Sequence, residues 1–126
     1  MDISDAKDNY RRWINEYRDF LLYGNFPFSG YSWDCSSASR ANIIGMNVIL
    51  NSGIQLPDGY TWRTIDNQNI PVDSTFFRNM GMAMFIFSDV CYKAAWQHKA
   101  QVQALVTVED VLAYDYQSSL WPSTAP

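Results

Sequence analysis

The sequence predicts an α+β fold of three to four helices, one of them long and central, packed with a small antiparallel β-hairpin sheet. Three observations carry this. Apolar residues recur at three-and-four spacing in separate stretches, two short stretches rich in β-formers surround turn residues, and the size suits one core. The chain has 126 residues, 48% of them hydrophobic and 16% aromatic, which fits one domain able to fold without a metal or a disulfide. We read residues 1–126 as that domain, with 118–126 a partly mobile tail.

Ala6, Tyr10, Trp13, Ile14, Tyr17, Phe20 and Leu21 place one apolar stripe on a first helix from about Ser4 to Tyr23. Ser4 is the expected cap, with Asp2, Asp5 and Asp8 near the positive end of the dipole and Gly24 as a left-handed stop. Asp8 with Arg12 and Arg12 with Glu16 are four-apart pairs on its wet face. Phe26 to Trp33 then alternates large and small residues around Ser29-Gly30, as a short hairpin or edge strand does, and Pro27 fits only an edge.

Several capping residues between Asp34 and Ser39 precede Ile43, Ile44, Val48 and Ile49, which predicts a second helix from about Ser37 to Asn51, ended by Gly53. Tyr60 to Ile65, the turn residues Asp66-Asn67-Gln68-Asn69 and Ile70-Pro71-Val72 form a second hairpin. Tyr60, Trp62 and Thr64 share one face of it, opposite Thr61, Arg63 and Ile65. Asp73 or Ser74 caps the longest helix, about Thr75 to Leu105, and Gly81 is a point at which it can bend. Its first half is apolar nearly all round, from Phe76 through Met80, Met84 and Phe87 to Cys91. Such a helix is either a central rod covered on several faces or part of a partner interface. Thr107 caps a last short helix through Ala113.

A net charge of −4 without a basic stripe argues against nucleic-acid binding. The longest apolar run, Met82 to Phe87, is far below the ~18 residues that cross a bilayer, so no membrane association is expected. The acidic Met1-Asp2-Ile3-Ser4-Asp5 lacks the basic and apolar regions of a signal peptide, so export by the usual route is not expected. Cys35 and Cys91 are accordingly expected as two reduced, buried thiols, with one disulfide as the alternative.

The search for chemistry finds no enzyme, cofactor or metal site. The single histidine, His98, has no partner at metal-ligand spacing and is expected to be partly exposed beside Lys99. Ser36, Ser37 and Ser39 read as helix caps, since the glycines of a nucleophile elbow are missing. Cys35 precedes a helix but has no base beside it in the sequence. Asp66, Asn67, Asn69 and Asp73 lack the glycine and glutamate of a calcium loop, which leaves a hairpin turn with a left-handed Asn67. Glu109 and Asp110 are adjacent on a helix and point apart. The aromatics remain: Tyr31, Trp33, Tyr60 and Trp62 either form a platform for a partner or a sugar ring, or clamp the sheet to the helices. Trp121, followed by Pro122, folds back on the domain or docks on another chain.

Ser39-Arg40-Ala41-Asn42-Ile43-Ile44, then Tyr60-Thr61-Trp62-Arg63-Thr64 running into Asp66-Asn67, and the Val72-Asp73 helix start together resemble a family of small bacteriophage and prophage domains. The resemblance continues through Tyr92, Lys99, Thr107 to Val111 and Trp121-Pro122, and spans about Phe26 to Pro122. That family, a domain of unknown function, occurs in tail-fibre and other tail proteins or as short separate reading frames beside them. Its Trp-Pro ending often carries a glycine before the Trp, where this chain has Leu120. The resemblance implies no catalytic residues. It implies a virion component of the tail, assembled in the host cytoplasm, that binds a tail-fibre or baseplate protein, with a homo-oligomer as a further arrangement. The alternatives are a tail-fibre assembly chaperone and a carbohydrate-binding module for host attachment. Tyr31, Trp33, Tyr60, Trp62 and Trp121 are the expected contact residues.

Overall fold

A computed structural model describes all 126 residues. The order is α1 (Ile3–Leu22), β1 (Asn25–Phe28), β2 (Tyr31–Asp34), α2 (Ser37–Asn51), β3 (Thr61–Arg63), β4 (Asn69–Pro71), α3 (Ser74–Ala104) and α4 (Val108–Ala113). The fold is the expected α+β, its two hairpins forming separate antiparallel ribbons, β1-β2 and β3-β4.

At 31 residues, α3 is the central element, about 46 Å long at 1.5 Å per residue. Helix α1 lies antiparallel along its second half. Lys7 Nζ donates to the Gln103 carbonyl at 2.7 Å, and Lys99 Nζ donates to Asn15 Oδ1 at 2.9 Å. Ala6, Tyr10 and Ile14 bury the α1 stripe against Ala95, Val102 and Val111. A larger cluster packs on one side of the first half of α3, where Phe77, Met80, Met84 and Phe87 meet Phe26, Trp33, Ile43 and Leu50.

The ends of α1 differ from expectation. Asp2, not Ser4, caps it by accepting from the Asp5 amide at 3.1 Å. Gly24 is not left-handed; a Cβ there would lie 2.9 Å from the Phe20 carbonyl oxygen, so the residue serves close backbone approach. Asp8 pairs with Arg11 at 2.6 Å rather than with Arg12.

The first hairpin turns at Ser29 and Gly30, with φ of 53° and 80°, a two-residue turn whose twist matches its strands. Its register sets Phe26 opposite Trp33 and Pro27 opposite Ser32. The second turns through a left-handed Asn67, φ 66°, and the face that carries Tyr60, Trp62 and Thr64 turns inward, burying Thr64, while Thr61, Arg63 and Ile65 are exposed. A bond from the Ile65 amide to the Ser32 carbonyl, 2.9 Å, ties the two ribbons together. Ser36, Asp73 and Thr107 cap α2, α3 and α4.

Candidate functional site

Helix α2 carries more apolar residues than one stripe can hold. Ile43 and Leu50 face the core, whereas Ile44 and Val48 are exposed. The first half of α3 behaves the same way: Phe77, Met80 and Met84 are buried, while Met82, Phe85 and Ile86 stand in solvent, Phe85 at 66% exposure. The rod is therefore covered on one side only, and between α2 and α3 lies an open groove of about 560 Å³. Large apolar side chains clustered on an exposed face are the mark of an interaction surface.

Two arginines frame this groove. Arg40 donates through Nη1 to Ser88 Oγ at 2.6 Å and through Nη2 to the Leu22 carbonyl at 2.6 Å and to Cys35 Sγ at 2.8 Å. It joins the end of α1, the start of α2 and the middle of α3, and its buried Nε has no partner. Arg78 Nη2 donates to the Leu50 carbonyl at 3.3 Å. Neither guanidinium pairs with a carboxylate, and no aspartate or glutamate lines the groove. Gly81 permits close packing here, since a Cβ on it would meet Asn47 Nδ2 at 2.5 Å.

The five predicted contact residues lie elsewhere and do not form an exposed platform. Trp33 is fully buried, its Nε1 donating to the Phe28 carbonyl at 2.9 Å, which withdraws it from any surface role in this fold. Tyr31, Tyr60 and Trp62 are half-buried against the same core, Trp62 edge-on to Phe77 at 5.1 Å. These four aromatics clamp the ribbons to the helices. Trp121 folds back on the domain, half-buried, its Nε1 donating to the Tyr116 carbonyl at 2.7 Å.

His98 is the clearest departure from expectation, being fully buried rather than partly exposed. Its Nε2 lies 2.7 Å from the Ser119 carbonyl oxygen and its Nδ1 2.6 Å from Tyr114 Oη. A carbonyl only accepts, so Nε2 carries a proton. This histidine fastens the C-terminal segment to α3. Both cysteines are buried and free. Burial pushes the Cys91 thiol up to about 11, and burial also raises Cys35 against the opposing pull of Arg40. No cluster of three or more His, Cys, Asp or Glu side chains is placed to hold a metal ion. No helix is long and apolar enough to cross a membrane.

The groove had a signal in the sequence, namely the adjacent apolar pairs Ile43-Ile44 and Val48-Ile49 on α2 and the run Met82 to Phe87 on α3. Adjacent positions on a helix point about 100° apart, so Ile44 leaves the core face that Ile43 holds, and Val48 and Ile49 are both exposed. No curated protein and no solved structure matches the chain. A family model described as a domain of unknown function, DUF4376, matches residues 5–118, and with nearly the whole chain covered the protein belongs to that family.

Proposed function

We propose that the protein is a non-enzymatic structural component of a bacteriophage tail that binds a tail-fibre or baseplate protein. The observation carrying this reading is the uncovered apolar face of α2 and α3, where Ile44, Val48, Met82, Phe85 and Ile86 are all more than half exposed. Leaving such side chains in water forgoes about 25 cal/mol per Å² that burial against a partner recovers. The tail assignment itself rests on the resemblance carried by Trp62, Asp66-Asn67 and Trp121-Pro122. The enclosed Trp33 speaks against the sugar-binding alternative, which needs an accessible ring face.

The test is co-expression with the neighbouring tail-fibre protein, light scattering of the purified complex, and mass spectrometry of purified particles. A stoichiometric complex retained in particles is the expected result. A complex that forms in the cell but is absent from particles would make the protein an assembly chaperone instead. A chain that never co-purifies overturns the proposal.

A further inference from the structure

We infer that the α2-α3 groove receives an amphipathic helix of a partner protein bearing a carboxylate near each end of its apolar stripe. This deepens the protein-contact reading and rests on it. The groove's dimensions follow from two hydrogen bonds. Arg40 reaches Ser88, and Arg78 reaches Leu50. Ten residues separate Arg40 from Leu50 on α2, and ten separate Arg78 from Ser88 on α3, so the helices run antiparallel and the arginines stand about 15 Å apart along them. Between them the walls are apolar, with Ile44 and Val48 facing Met82 and Phe85 across the opening.

Three features select the occupant. Both walls are helices whose internal backbone groups are already paired, so an extended peptide finds no strand edge to join, whereas a helix can lay its ridge between them. The distance from Arg40 to Arg78 matches about three turns of helix, enough for anchors at i, i+3 or i+4, and i+7. Both arginines lack a carboxylate partner, and the lining holds no acidic residue, although the chain as a whole carries −4. Acidic residues about ten positions apart complete that pattern. A second copy of the chain is a poorer fit, because a two-fold axis would set arginine ends against arginine ends.

The experiment uses the full chain and a displayed library of helical peptides of about 15 residues. A leucine stripe is fixed, two flanking positions ten residues apart are randomised, and Phe85→Asp protein serves for counter-selection. Glu or Asp is expected at both flanks. By fluorescence anisotropy the selected peptide is expected to bind Arg78→Glu protein at least about tenfold more weakly, and a Lys-flanked version is expected to recover binding to it. Neutral or basic flanks, or no clone lost on Phe85→Asp protein, overturn the inference. So does a wild-type dimer that Phe85→Asp dissolves, which would make the face a self-interface. If Phe85→Asp abolishes co-purification with the tail protein while the library selects neutral flanks, the acidic chemistry fails and the protein-contact reading stands. Failure of the wild type to co-purify defeats that reading as well.

Discussion

The indole of Trp121 lies stacked on the imidazole of His98, ring centroids 5.4 Å apart and planes inclined by 18°. Tyr17 meets the same indole edge-on at 5.1 Å, so one side chain joins the C-terminal segment to α1 and α3 together. His98 has both ring nitrogens bonded to that segment, to Tyr114 and to the Ser119 carbonyl. The last 13 residues after α4, Tyr114 to Pro126, thus include an anchored strap.

Trp121→Ala removes the stack on His98, the Tyr17 contact and the bond to the Tyr116 carbonyl at once. For a half-buried indole the expected loss is about 2–3 kcal/mol, somewhat below that of a fully enclosed one. Urea unfolding measures it. The Nε2–H proton of His98, shielded from solvent in the wild type, should exchange markedly faster in the variant when followed by NMR. A strap that contributed nothing would leave both readings unchanged.

Leu120 has a φ of 74°, the left-handed region in which a Cβ is crowded. Here leucine adopts the conformation glycine favours, so the tail keeps its path at the cost of local strain. Leu120→Gly should relieve about 1 kcal/mol, the left-handed penalty less the glycine's greater freedom when unfolded. A higher melting temperature with unchanged His98 protection is the expected result; a lower one would show that the side chain's contacts outweigh the strain.

The order of elements was readable from the sequence because each has a local cause. The span of α2 follows from Ser36 as cap and Gly53 as stop, and the hairpins follow from Ser29-Gly30 and Asn67, all three of these turn positions being left-handed. The burial of His98 was not readable, because its partners Tyr114 and Ser119 lie 16 and 21 residues away across α4. Trp33 was ambiguous for a related reason: β-alternation assigns a face, but only the packing of α3 decides whether that face meets core or solvent. The groove was half readable, since helical spacing shows an excess of apolar faces without saying which remain open.

Stability should fall at both ends of the pH range, for opposite reasons. Partial burial alone would raise the Asp34 carboxyl, but bonds from Ser39 and Ser36 outweigh it and hold the group below its usual value. A depressed folded value contributes stability above the unfolded pKa of about 3.9, and that contribution is lost as pH falls through the folded one. Asp34→Asn should therefore be less stable at pH 7 and show a flatter acid limb, with slope remaining from Asp66 and Asp115, which are also lowered. Cys91, raised by burial from 9.0 to about 11, acts in reverse. Its contribution is complete below the unfolded value and lost as pH rises toward 11, so Cys91→Ala should flatten the alkaline limb. Denaturant titrations across both limbs check this, and parallel curves for variant and wild type would contradict it.

Met84 and Phe85 are neighbours on α3 with opposite surroundings, 4% and 66% exposed, and the same substitution should separate folding from binding. Met84→Glu forces a carboxylate into the apolar cluster that holds Phe77, Phe87 and Ile43. The expected cost exceeds about 4 kcal/mol, enough to unfold a domain of ordinary stability. Phe85→Glu puts the same charge in water and should change stability by no more than about 0.5 kcal/mol. Its effect belongs to the groove, where a carboxylate repels an acidic partner helix and removes the largest exposed anchor. Circular dichroism should find Phe85→Glu folded and co-purification should find it unbound. If Phe85→Glu unfolds as readily as Met84→Glu, the side chain is core rather than surface, and the groove loses its outer wall.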